Sequence, residues 1–140
     1  MIIKSFELKK INVKQNKLIL FYGKNEGLKN EGINILIKDK SKISNYEEKE
    51  ILDNEHDFIE NILSKSLFEQ EKFIVIKRST DKILSIIETL HLKNLEDTTI
   101  ILKILSVVLL ITINFFCSKR DFDKIFSIKL ISLSKISFSS

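Results

Sequence analysis

Runs of consecutive apolar residues alternate, along the first two-thirds of the chain, with apolar stripes at helical spacing. Leu18-Ile19-Leu20-Phe21-Tyr22 is an unbroken apolar run stopped by Gly23. A strand buried on both faces of a parallel sheet has this pattern. Phe73-Ile74-Val75-Ile76 and Thr98-Thr99-Ile100-Ile101-Leu102 read as further buried strands. Between them lie helix-competent segments. Residues 28–40 carry Ile33, Leu36 and Ile37 on one side, and two later stripes are Phe58, Ile59, Ile62, Leu63 and Ile83, Leu84, Ile87, Leu90. Asp53 or Asn54 is placed to cap the second helix and Ser79 or Thr80 the third, while Glu55 and Asp57 suit a helix N-terminus. Residues 2–14, with Ile3, Phe6, Leu8 and Ile11 among basic residues, predict a short amphipathic helix. Residues 38–42 predict a charged turn, and the polar segment 45–52 a strand at a sheet edge. Strands alternating with helices imply right-handed βαβ units, hence an α/β fold with a parallel sheet flanked by helices in three layers.

Beyond Lys103 the character changes. Glutamate does not recur after Glu96, and serine, isoleucine, leucine, phenylalanine and lysine make up most of residues 118–140. Residues 104–117 are apolar almost throughout, without a helical stripe. Three origins compete: a buried helix or strand pair, a membrane span, or a shifted reading frame in an AT-rich gene. The apolar run holds 14 residues, whereas a bilayer crossing takes about 20. A shifted frame yields the observed residue types in bulk, and this reading is preferred. It divides the chain into an incomplete α/β domain over residues 1–102 and a tail over 103–140 that is not natively structured.

Composition narrows the classes. A hydrophobic fraction of 44% beside 30% charged residues belongs to a globular chain. The net charge of +4 suggests nucleic acid until it is located. Residues 1–102 hold 17 basic and 17 acidic residues, and residues 103–140 hold 6 and 2. The basicity therefore belongs to the tail, and direct DNA reading is not supported. A lone cysteine, Cys117, excludes an internal disulfide, reads as an inert apolar residue and suits a reducing cytoplasm. Lys4, Glu7, Lys9 and Lys10 make the N-terminus unlike a signal peptide. His56 and His91 lie far apart with no cysteine or carboxylate at ligand spacing, so no metal site is expected.

The strand over 18–22, a short loop and a helix follow in the order in which phosphate-binding loops occur, because backbone N–H groups and a helix N-terminus converge there. Laid on G-x-x-x-x-G-K-[ST], Gly23 matches the first glycine and Lys29 the lysine. Leu28 replaces the second glycine and obstructs the close backbone approach a phosphate needs. Asn30 replaces the hydroxyl that would meet a metal ion. The strand over 73–76 runs into Lys77-Arg78, where hydrolysis wants acidic groups to hold Mg²⁺. The loop formed by Gly23, Lys24, Gly27 and Lys29 thus reads as a degenerate phosphate loop: two turn glycines and two surface lysines, with no cofactor and no catalysis. Glu47-Glu48 and Lys77-Arg78 read as solvated faces. The competing classes are a small P-loop-type nucleotide-binding enzyme and a membrane-attached protein anchored through residues 104–117.

Several segments together resemble the N-terminal domain of the delta subunit of bacterial DNA polymerase III, a clamp-loader component. They are Phe21-Tyr22-Gly23-Lys24-Asn25, the polar segment 46–53, Ser66-Leu67-Phe68 ahead of strand 73–76, and Leu95-Glu96-Asp97-Thr98-Thr99-Ile100-Ile101. The resemblance covers residues 1–102. It implies an AAA+-type, P-loop-like fold without ATPase activity that binds and opens the ring-shaped beta sliding clamp in the bacterial cytoplasm. Ser66, Leu67 and Phe68 would then be the clamp-binding residues, with Leu67 and Phe68 as an apolar wedge at a helix tip. The other loader subunits would be partners, and primed DNA would be met only through the clamp. The family continues past residue 102 with a charged helix, a further strand, a lid and a helical collar, where this chain has its apolar, serine-rich tail.

Overall fold

A computed structural model describes residues 2–13, 18–22, 25–64, 71–93, 97–104 and 128–132. Strands β1 (Ile2–Lys4), β2 (Leu18–Tyr22), β3 (Ile43–Glu47), β4 (Lys72–Ser79), β5 (Thr98–Ile104) and β6 (Ile128–Ser132) form a parallel sheet in the order β1-β6-β2-β5-β4-β3. Helices α1 (Glu26–Leu36), α2 (Glu48–Asp53), α3 (Glu55–Leu63) and α4 (Leu84–Leu92) connect them. The expected α/β three-layer architecture with a parallel sheet is present.

Direction of travel decides which face each helix covers. A right-handed crossover that moves one way along the sheet packs on one face, and one that moves back packs on the other. The chain goes outward from β2 to the far edge β3, and α1 lies with Ile19, Phe21, Val75 and Ile101. It then returns through β4 to β5, and α2, α3 and α4 lie with Leu18, Leu20, Ile74, Ile76, Ile100 and Leu102. Alternate residues of each strand thus enter opposite cores, as the two-residue period requires. Each fully buried aliphatic side chain contributes about 1.5–3 kcal/mol. β5 is buried along its whole length, and β2 along its first four residues, as expected of central parallel strands.

The buried strands and helical stripes fall where the pattern puts them, with Ile86 joining the α4 face. Three boundaries differ. Residues 2–10, within the segment read as an amphipathic α-helix, form β1 and a 3₁₀ helix (Ser5–Lys10) instead. The partner of β1 is β6, more than a hundred residues away, which local periodicity cannot reveal. The segment 45–52 is an edge strand only as far as Glu47 and then becomes α2. A reciprocal capping box between Glu47 and Glu50 starts that helix, and Tyr46 of the edge strand meets Phe58 of α3 edge to face at 5.0 Å. Helix α1 stops at Leu36, not at residue 40, because Asp39 Oδ1 accepts from the Ser41 amide and hydroxyl and begins a 3₁₀ turn (Lys40–Lys42). Ahead of α4, Thr80, not Ser79, is the cap, and it begins a 3₁₀ turn (Asp81–Ile83) that runs into the helix. At α3, Asn54 holds the N-cap position without a side-chain hydrogen bond. Strand β5 passes residue 102 to end at Ile104, and β6 lies within the tail; the rest of the tail is outside the described residues. Among the described residues no helix is long and apolar enough to cross a membrane.

Candidate functional site

The passage from β2 to α1 has the strand–loop–helix order of a phosphate loop, and at its helix end one backbone donor is already engaged. Asn25 is the N-cap of α1 in an extended conformation, and its Oδ1 accepts from the Leu28 amide at 3.1 Å. An anion at this helix end would have to displace the carboxamide. Gly27 belongs to the first helical turn, not to the preceding turn; a Cβ there would come within 3.2 Å of Asn25 Oδ1. Gly23 and Lys24 lie outside the described residues.

Lys29 departs most from expectation. It is not a surface lysine but 1% exposed. Helical period explains the burial, since positions 29, 32, 33 and 36 share the face that α1 turns to the sheet. Its long stem covers apolar surface while Nζ reaches Glu26 Oε1 at 2.7 Å and the Ile104 carbonyl at 3.0 Å. Lys103, 5% exposed on β5, donates to Glu26 Oε2 at 2.8 Å and to Asn30 Oδ1 at 2.9 Å. Glu26 therefore bridges two buried ammonium groups, one through each oxygen. Burial by itself would raise the Glu26 carboxyl. The hydrogen bonds from Lys103 and Lys29, reinforced by their charges, outweigh burial and hold the carboxyl below its ordinary range. Every buried side-chain nitrogen and oxygen among the described residues has a partner.

A second polar clasp sits at the ends of β3 and β4. Glu48 is buried, not solvated, and accepts from the Thr80 amide at 2.7 Å and hydroxyl at 2.9 Å. Arg78 has a φ of 51° in an irregularity between Ile76 and Ser79, and its Nε meets Glu47 Oε2 at 3.1 Å. The acidic pair 47–48 is thus a structural tie between neighbouring strands. The expectation of no carboxylate at ligand spacing from a histidine is also corrected. His56, Asp57 and Glu60 bring their ligand atoms within 4.8 Å of one another on the exposed side of α3. All three are solvent-exposed.

Of the residues singled out in the sequence, Gly27 and Lys29 both lie on α1, Gly27 exposed and Lys29 buried. Ser66, Leu67 and Phe68 lie outside the described residues, in the stretch between Ser64, which ends α3, and Glu71 ahead of β4. Sequence reasoning missed Asn25, Glu26 and Lys103. The Glu26-to-Lys29 spacing of three on a helix was the available signal; Lys103 needed knowledge that β5 lies beside β2, where it pairs with Phe21. Fold and cluster define a parallel α/β domain in which Lys29, at the start of the helix after β2, is turned inward. No protein-family model and no curated protein matches the chain.

Proposed function

We propose that this chain is a non-catalytic clamp-loader protein of the delta type, which binds the beta sliding clamp rather than hydrolysing a nucleotide. The observation that supports it is the state of Lys29. The lysine at the phosphate-loop position spends its donors on Glu26 and the Ile104 carbonyl, and Asn25 takes the Leu28 amide. Lys77 and Lys103 stand towards the ends of β4 and β5, where Mg²⁺ chemistry would want carboxylates. A fold of this kind whose β2–α1 loop does not cradle a phosphate serves as a scaffold. The clamp-binding part of the proposal rests on Ser66-Leu67-Phe68, by the resemblance of the sequence. The other loader subunits, indirect engagement of primed DNA and a cytoplasmic setting belong to the same proposal.

Two measurements test it. Replacing Leu67 and Phe68 together with alanine should weaken binding to a purified sliding clamp by about a hundredfold or more, with the far-ultraviolet circular dichroism unchanged. Loss of helical signal in the double variant would mean that the pair is core, and the wedge reading would fail. Titration with labelled ATP and Mg²⁺ should give no binding in the micromolar range; saturable micromolar binding would favour the P-loop-type enzyme.

A further inference from the structure

One side of α1 does not close completely onto the sheet. Between it and β3, β4 and β5 lies a cleft of about 230 Å³. Around it stand Lys40, Lys77 and Lys103 together with Asn30, Asn34 and Asn45, and no carboxylate is among its described lining residues. We propose that this cleft binds a small phosphoryl dianion, either inorganic phosphate or a small phosphate ester.

Charge is the first reason. Of the three lysines only Lys103 has a carboxylate partner among the described residues, and that partner, Glu26, is shared with Lys29. The cleft is left with an excess of positive charge. Ile33 and Val75 contribute apolar wall, and a cleft with low-dielectric walls and one sign of charge focuses its field on a counter-ion. Donor geometry is the second. Lysine can only donate, so the Asn30 oxygen faces Lys103 Nζ at 2.9 Å, and the amide NH₂ of Asn30 remains as a donor. Lys103 is itself held in place by Glu26 and Asn30, which gives the site one preorganised cation. Size is the third. Pockets for drug-sized ligands occupy about 300–1,000 Å³, so a cleft of about 230 Å³ suits a phosphate with a short body. The site is separate from the position of the phosphate loop: it is lined from Asn30 onward along α1, and Lys29 is not among its lining residues.

The test is calorimetric titration of the full chain, at low ionic strength, with inorganic phosphate and separately with glycerol phosphate. One saturable site with a dissociation constant of about 1 mM or tighter is expected for at least one probe. Tighter binding of the ester would identify an ester as the ligand class, and tighter binding of inorganic phosphate would identify free phosphate. Replacing Lys40 and Lys77 together with glutamine should weaken binding about tenfold or more. The melting temperature should be unchanged, since neither side chain is buried. Arginine at position 77 should restore most of the affinity. Absence of a saturable response, an equal response to sodium chloride at matched ionic strength, or full binding by the double glutamine variant would overturn the proposal. Phosphate binding that survives the double variant but is lost in Lys29→Met would locate the anion at the old loop, and would overturn the scaffold reading of that loop as well.

Discussion

Lys29 is the residue on which the candidate site turns. A buried ammonium is tolerated only when its donors are matched, and breaking such a pair from one side costs more than replacing it with an apolar shape. Lys29→Ala should therefore cost about 2–4 kcal/mol in urea unfolding, from the emptied volume and the orphaned Ile104 carbonyl. Lys29→Met keeps most of the volume and removes the desolvated charge, so its loss should be under half of that. A Lys29→Ala variant within about 0.5 kcal/mol of wild type would show that the side chain is not buried in solution. Glu26 supplies a second prediction. Its folded carboxyl lies below the ordinary value, so its contribution is present at neutral pH and is lost as pH falls through the folded value. Glu26 is 54% exposed, so water and salt screen the effect to under about 1 kcal/mol. Asp39 is likewise held below its ordinary value, by hydrogen bonds from the Ser41 hydroxyl and amide. The difference between wild type and Glu26→Gln, measured from about pH 7 down to about pH 3, isolates Glu26. The gap between the two stability curves should narrow toward acid, and a constant gap would exclude a charge contribution. The lysine itself was visible in the sequence as a loop residue. Its burial was not, because it depends on a helical face and on a β5 carbonyl that lie 75 residues apart.

Helix α1 meets β2 more closely than a side chain would allow, and Gly32 makes that possible. A Cβ at position 32 would stand 2.6 Å from Phe21 Cε1 and 3.3 Å from Leu8 Cδ1. Phe21 is fully buried and its ring has nowhere to retreat. Alanine gains about 1 kcal/mol in helix propensity over glycine. Overpacking a filled core costs about 1–3 kcal/mol, and at 2.6 Å the clash should take the upper part of that range. Gly32→Ala should be net destabilising by about 1–2 kcal/mol in the same unfolding assay. Gly27→Ala, at an exposed first-turn position, should be neutral within about 0.5 kcal/mol, because the gain in helix propensity is offset by crowding of the capping Asn25 Oδ1 at 3.2 Å. Equal behaviour of the two variants would mean that α1 sits farther from the sheet. Elements of this kind were the most legible part of the sequence: the runs at 18–22, 73–76 and 98–102 are central strands, and the stripes on α3 and α4 face the core. The misreadings have a common physical cause. Between Asn45 and Leu52 a change from period 2 to helical period is hidden by four acidic or basic residues in succession, and the Glu47–Glu50 capping box decides the boundary.

At the scale of the molecule, β6 stands between β1 and β2. Composition does not announce this strand, since Ile128–Ser132 lies in a stretch whose residue types look unlike the rest of the chain. Parallel pairing across such a separation is invisible to any local pattern. A chain ended after Ile104 would leave β2 as an edge, with the main-chain groups of a wholly apolar run unpaired on one side. Such a truncated chain should elute from a sizing column as aggregate, or unfold with a broader and lower transition than the full chain. A monomeric truncation with an unchanged melting temperature would show that β6 adds nothing to the sheet. The strand order also dictates a timetable. On the ribosome β1 and β2 emerge early, yet the slot between them stays vacant until the last of the described strands has been made. For that interval a newborn chain carries a sticky seam through its middle, and a chaperone waiting at the exit tunnel would find its natural handhold there.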